Sequence, residues 1–97
     1  MLHIADAVNP VIRLENTDTG LAADQLIGGI EWEKQDASGA GAGIVGAVRL
    51  YSDDQYGARS YLSLSTRHTT TGGAAVATES LRIKSDGDVS IINGNLV

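Results

Sequence analysis

Two groups of closely spaced carboxylates are the residues of this chain best suited to chemistry. Asp53 and Asp54 are adjacent, and Asp86 and Asp88 are separated by one glycine. Paired carboxylates bind Ca²⁺ or divide the roles of general acid and general base. An EF-hand loop that began at Asp86 would need a glutamate at its twelfth position, where Val97 stands. Both groups lie in turn-forming segments, so we interpret them as turn residues whose side chains accept backbone hydrogen bonds.

The other motifs that suggest catalysis or cofactor binding lack the context that such sites need. Residues 41–46 match G-x-G-x-x-G, a dinucleotide fingerprint, but the residues that follow favour a strand, whereas the fingerprint requires a helix. The two histidines, His3 and His68, have neither the spacing of zinc ligands nor a nucleophile elbow nearby. We therefore expect a protein that is not an enzyme and that binds no cofactor and no metal.

Aromatic residues are few and are a second source of candidate binding groups. The chain has Trp32, Tyr51, Tyr56 and Tyr61, and it has no phenylalanine. An aromatic ring combines an apolar face with a polar edge, which suits a sugar. Trp32 alternates with Ile30, which favours core packing or packing between chains for its side chain. Tyr56 lies in a turn and is the aromatic residue that we expect to be best exposed.

Short β-strands must position all of these side chains. In residues 79–91, aliphatic residues alternate with charged or polar ones on both sides of an Asp-Gly pair. The period of two separates an apolar from a polar face, and Asp-Gly supplies the positive φ of a hairpin turn. Further strands are predicted at residues 11–15, 27–34, 44–52 and 58–66, with a turn and a short final strand at 92–97. Six or seven short strands with turns between them indicate an all-β domain.

Composition and charge limit the partners of the chain. The 97 residues carry a formal net charge of −5, and their basic residues do not cluster, which excludes nucleic acid and anionic membrane surfaces as electrostatic partners. No apolar run is long enough to insert into a membrane. With 12 glycines and one tryptophan, the chain buries little apolar surface by itself, so we expect homo-oligomerisation to supply the missing burial.

A longer pattern points to a family. Residues 79–91 carry the pattern E-x-L-R-I-x-x-x-G-x-V-x-I, formed by Glu79, Leu81, Arg82, Ile83, Gly87, Val89 and Ile91. Residues 30–32, 36–39, 53–57 and 62–66 precede it in a similar order. Together they resemble the C-terminal parts of bacteriophage tail fibre and related virion appendage proteins. The chain departs from that family after Ile91, where members continue with glycine and a Gly-Thr-rich segment.

The resemblance implies a β-rich fibre module of a virion, made in the host cytoplasm, that forms a homotrimer and has no catalytic residues. The fold we expect is all-β, with short antiparallel strands and hairpins in a β-sandwich or β-prism-like arrangement, intertwined in a homotrimer. Residues 1–97 would form a single module, with residues 1–9 as a candidate linker from a longer chain. The small residues of 41–47 would let neighbouring chains approach closely.

Loops are the candidate contact surface for a host glycan or protein receptor. The three loops are residues 36–43, 53–57 and 67–73, and the candidate contact residues in or near them are Tyr56, Arg59, Arg67 and His68. Two other functions are alternatives to an adhesive fibre module. One is a monomeric β-sandwich that binds carbohydrate, and the other is a fragment of a glycan-depolymerising tailspike, which would need a carboxylate pair in a groove.

Overall fold

Five antiparallel β-strands form one open sheet in residues 1–68 and 77–92, the part of the chain that the computed structural model describes. The strands are β1 (Leu26–Lys34), β2 (Gly43–Ser52), β3 (Ser60–Thr66), β4 (Thr78–Ile83) and β5 (Val89–Ile91). Each strand pairs with the next along the chain, in the order β1-β2-β3-β4-β5. The all-β prediction is confirmed. These residues form no helix, and so none that could cross a membrane.

One face of the sheet is apolar across all five strands. Antiparallel register places directly opposed residues on the same face, and two rows of such residues cross the sheet. The first row is Ile30, Val48, Leu64, Leu81 and Ile91; the second is Gly28, Leu50, Leu62, Ile83 and Val89. Trp32 extends the same face at β1. We call this surface the apolar face, and it confirms that the aliphatic residues of the C-terminal hairpin share one side.

The opposite face, the polar face, carries several well buried side chains. Ala47 and Ser63 are each 3% exposed, and Ser65 is 6% exposed. On the apolar face, by contrast, Trp32 is 54% and Val89 is 61% exposed. The aliphatic residues therefore share a face as the alternation predicts, but in the single chain that face is open to solvent.

The strand predicted at residues 11–15 is wrong, because this segment has no strand structure. The Asn16 side-chain amide donates to the carbonyl oxygens of Leu26 and Ile27, at 3.3 and 3.1 Å, so a side chain holds this end of the segment beside β1. Ile12 and Leu14 line an apolar groove of about 250 Å³ over β1, β2 and β3. The alternating segment near residue 12 is thus an arm that lies over the sheet, with Ile12 and Leu14 each more than half exposed. Apart from Ile92, the final turn and strand predicted at 92–97 lie outside the described residues.

The carboxylates singled out in the sequence act in turns. In the β4–β5 turn Gly87 has a φ of 93°, and the Asp86 side chain accepts a hydrogen bond from the Asp88 amide at 2.9 Å. After β2, an Asp54 side-chain oxygen accepts hydrogen bonds from the amides of Tyr56 and Ala58, each at 3.0 Å. These contacts confirm the interpretation for Asp54 and Asp86, whereas the Asp53 side chain accepts a hydrogen bond from the Ser85 hydroxyl.

Two adjacent glycines in β1 follow a break in the strand register, as their position in the sequence suggested. The register shifts between Leu26 and Gly28. A Cβ atom added to Gly29 would lie 2.9 Å from the Val48 carbonyl oxygen, which belongs to the paired strand. A Cβ atom added to Gly28 would lie 3.7 Å from Leu14, an ordinary van der Waals distance. Of these two positions, only that of Gly29 lies so close to the neighbouring backbone that it needs a glycine.

We expect Gly29→Ala to lower the free energy of unfolding by about 1–3 kcal/mol, because β2 must move to admit the methyl group. Gly28→Ala is the matched control and should change stability by less than about 0.5 kcal/mol. Urea denaturation followed by Trp32 fluorescence measures both. Equal stabilities of the two variants would show that β1 and β2 are not in close contact at Gly29.

Candidate functional site

A cavity of about 360 Å³ opens on the polar face, and we call it the polar cavity. Its lining comes from β2, β3 and β4 and consists of Arg49, Tyr51, Tyr61, Ser63, Ser65, Ala77, Glu79 and Arg82. Ala77 lies just before β4, and its amide donates to the Ile44 carbonyl oxygen of β2 at 3.2 Å. This hydrogen bond ties the start of β4 across to β2.

A β-bulge brings the charged residues of the cavity together. Residues three apart in a regular strand point to opposite faces, so Glu79 and Arg82 would be separated. The register shifts here: Leu81 lies opposite Leu64, Glu79 lies opposite Ser65, and Ser80 has no partner on β3. The extra residue returns Glu79 to the polar face beside Arg82. Bulges of this kind re-aim side chains.

Two ion pairs fix the guanidinium groups of the cavity. Arg82 donates from Nε and Nη2 to the two carboxylate oxygens of Glu79, at 2.9 and 2.7 Å. Arg49 donates from Nη2 to Glu31 on the neighbouring strand, at 2.6 Å. The hydrogen bond from Arg82, followed by one from Ser63, lowers the pKa of Glu79. Each cation has its own carboxylate partner, so the cavity carries little net charge.

An aromatic stack forms one side of the cavity. Tyr51 and Tyr61 are opposed on β2 and β3, and their ring centroids lie 5.2 Å apart at an interplanar angle of 21°. Arg82 lies over the other side of Tyr61, with Cζ 4.1 Å from the ring centroid. The Tyr61 hydroxyl donates to Asp24 at 2.9 Å. Burial and then this hydrogen bond raise the pKa of Tyr61 to about 12.

The four candidate contact residues do not form one site. In a meander, successive turns alternate between the two ends of the sheet. Tyr56 and Arg59 lie in the turn between β2 and β3, while Arg67 and His68 follow β3 and lie at the opposite end. Tyr56 is 77% exposed, and the Arg59 side chain is mostly exposed, 3.8 Å from Asp54. The structure therefore groups these residues as two pairs.

Arg67 and His68 each form hydrogen bonds with nearby groups. Arg67 donates from Nη1 to the Gly41 carbonyl oxygen at 2.6 Å, which links the end of β3 to the loop before β2. Among the described residues, the His68 ring contacts three hydroxyl groups: Ser80 and Thr66 at Nε2, 2.7 and 3.1 Å away, and Thr78 at Nδ1. A serine–histidine contact is thus present, but a hydroxyl stands where a catalytic triad has a carboxylate. Residues 69–73 of this loop lie outside the described part of the chain.

Sequence reasoning missed the polar cavity because its defining pair depends on the bulge. Strict alternation places Arg82 on the face away from the aliphatic residues of its strand, which is correct. It places Glu79 on the apolar face, which is wrong. The pairing of Tyr51 with Tyr61 depends on the register of β2 and β3, which the spacing of the strands does not fix. Within residues 1–68 and 77–92, no three His, Asp or Glu side chains are arranged to hold a metal ion.

No protein-family model matches this chain, and no curated protein is significantly similar to it. The two faces of the sheet and the motif of residues 79–91 are therefore the basis for the function proposed below.

We expect Glu79→Gln to lower the free energy of unfolding by about 1 kcal/mol at neutral pH, because the fork with Arg82 loses its charge. The pKa of Glu79 is lowered in the folded state. Its contribution is therefore complete above the pKa of the unfolded chain and disappears as the pH falls through the lowered value. Urea denaturation at neutral and strongly acidic pH should show the difference from wild type shrinking with acid.

Glu33→Gln is the control for this experiment, since Glu33 is an exposed residue on the edge strand. A difference between Glu79→Gln and wild type that stays constant from neutral to acidic pH would contradict the assigned ion pair.

Tyr61 should give the chain an ionisation near pH 12. The raised pKa means that the fold favours the neutral phenol, so this contribution is complete below the usual tyrosine value of about 10 and is lost as the pH rises through about 12. Absorbance at 295 nm, a wavelength at which phenolate absorbs, should show this component in wild type and in Tyr56→Phe. Its persistence in Tyr61→Phe would rule out the assignment.

Proposed function

We propose that the chain is a non-enzymatic structural and adhesive module of a bacteriophage tail fibre, located in the virion and assembled as a homotrimer. The single observation that carries this proposal is the open apolar face of the sheet. The motif of residues 79–91, which resembles tail fibre proteins, supports the choice of a fibre over other assemblies.

The apolar face needs a partner of matching chemistry. Its two rows contain no ionisable side chain and extend without interruption from β1 to β5. Contiguous apolar patches on a protein surface mark interaction sites. A second copy of the same sheet offers an equally uncharged surface, and the charged residues of both copies then stay in water.

The surface area of the chain supports association. The chain exposes 7107 Å², whereas a compact monomer of this mass exposes about 5,300 Å². A stable interface covers about 800 Å² on each partner, and a protomer in a trimer has two such interfaces. The excess of about 1,800 Å² is sufficient for both. Part of it belongs to the exposed arm that precedes β1, which would be covered together with the apolar face.

A β-prism is the arrangement that we propose for the trimer. Three sheets would turn their apolar faces toward a common axis, so that the rows through Leu81 and Ile83 meet their copies in a shared core. The polar faces would point outward. The exposed turn that holds Tyr56 and Arg59 would supply the receptor contacts, because at the other end the Arg67 guanidinium is engaged by Gly41.

Val89→Asp tests the assembly with little risk to the single chain, since Val89 is 61% exposed there. Wild type should sediment as a trimer, and both Val89→Asp and Leu81→Asp should shift it toward monomer, because a carboxylate cannot be buried in an apolar core without a large cost. Ser90→Asp is the matched control on the polar face of the same strand and should remain trimeric. Analytical ultracentrifugation gives the masses.

Trp32 offers a second measurement on the same samples. As the one tryptophan, half-exposed on the apolar face, it should emit at shorter wavelength in the trimer than in Val89→Asp. A wild-type protein that is a folded, stable monomer would overturn the trimer and favour the monomeric carbohydrate-binding module. A trimer that persists in both aspartate variants would show that another surface holds the chains together.

A further inference from the structure

We propose that the polar cavity binds a neutral saccharide unit through its two arginines, Glu79 and its serine floor. This inference rests on the adhesive part of the proposed function and assigns it a site outside the loops. It adds a binding surface on the strands themselves, away from Tyr56, Arg59, Arg67 and His68.

The size of the cavity suits a small ligand. Its volume of about 360 Å³ lies at the lower end of the range of about 300–1,000 Å³ typical of small-molecule sites. One or two sugar rings fit such a space, whereas an extended polymer would have to pass across it. The cavity opens on the polar face, so the ligand would enter from the solvent side of that face.

The lining combines hydrogen-bond donors with acceptors, as a polyhydroxyl ligand requires. Guanidinium groups only donate, ionised carboxylates only accept, and serine hydroxyls do both. Arg82 and Glu79 hold each other in a two-bond fork, which fixes the orientation of both side chains in the lining. Ser63 and Ser65, both nearly buried, form the floor. Preorganised groups of this kind lose little freedom when a ligand binds.

The charge balance favours a neutral ligand over an ionic one. Arg49 and Arg82 each have a carboxylate partner within hydrogen-bond distance. An anionic ligand would have to displace Glu31 or Glu79 and leave that carboxylate without its partner, and a cationic ligand would have to displace an arginine. The net charge of −5 on the whole chain also disfavours an anion. A neutral polyol can hydrogen-bond to Arg49, Arg82 and Glu79 without separating either ion pair.

Apolar contact in the cavity is limited and comes mainly from Tyr51 and Ala77, because Tyr61 is covered by Tyr51 and Arg82. A single cavity should therefore bind weakly. Multivalent presentation raises such affinities about 100-fold or more when the geometry allows simultaneous contact. The cavity lies opposite the apolar face, so it would stay accessible in the proposed trimer.

The test is a ¹⁵N-edited NMR titration of the full chain with glucose, galactose, mannose, rhamnose and N-acetylglucosamine, each in large excess. Glucuronate and glucosamine serve as the charged comparators. At least one neutral sugar should shift the amide resonances of Ser63, Ser65 and Glu79, and it should do so at lower concentration than either charged sugar. No response at these amides to any of the neutral sugars, or a response confined to a charged sugar, would overturn the proposal.

Ser65→Val places a larger apolar side chain in the floor and should weaken the response at least tenfold. Ser90→Val makes the same change on the polar face outside the cavity lining and should leave the response unchanged. Ser65→Ala removes only the hydroxyl group and should also weaken binding. It provides the test if the valine variant does not fold. Equal binding by wild type and the folded Ser65 variants would overturn the site.

The same titration on Val89→Asp separates this inference from the proposed assembly. The cavity is formed within one chain, so the aspartate variant should bind each sugar as wild type does at a single site. If wild type forms a trimer but binds no sugar, the cavity is not a saccharide site and the proposal of a structural module stands. If wild type is a monomer that binds sugar, the proposed trimer is wrong and the proposed saccharide site stands.

Discussion

Strand alternation in a sheet of one layer is the constraint on which the rest of this structure depends. Each strand divides its side chains between two faces, and in residues 1–68 and 77–92 no second layer of strands covers either of them. The polar face meets this constraint within the chain, through ion pairs, an aromatic stack and small buried serines. The apolar face has no such means, because aliphatic side chains are stabilised only by removal from water. The arm that carries Ile12 and Leu14 covers one part of it.

The bulge at Ser80 connects this constraint to the chemistry of the cavity. Without the extra residue, Glu79 would lie opposite Thr66 and would place a carboxylate on the apolar face. With it, the same carboxylate forms a fork with Arg82 and accepts a hydrogen bond from Ser63. One unpaired residue therefore keeps one face free of charge and completes a hydrogen-bonded cluster on the other.

The sequence predicts local features well and long-range register poorly. The strands near residues 27–34, 44–52 and 58–66 and the Asp-Gly turn follow from alternation and turn chemistry, which act over a few residues. The segment at 11–15 has the same alternation, but it lies beside the sheet as an exposed arm and does not pair with a strand. The polar cavity depends on which residues face each other across β2, β3 and β4, and a single bulge changes that pairing. The candidate contact residues were separated for a similar reason, since chain order alone does not show which turns share an end of the sheet.

The two faces assign association and ligand contact to different surfaces. If copies meet through the apolar rows, every charged group of the cavity remains on the outside, and neither Arg49 nor Arg82 has to lose its carboxylate partner. The net charge of −5 per chain then also lies on outer surfaces. Repulsion between like charges disfavours contacts between those surfaces, while the uncharged face is free of it. An assembly held by the apolar face would therefore add no further copies once that face is covered. Its polar surfaces would remain available to a ligand.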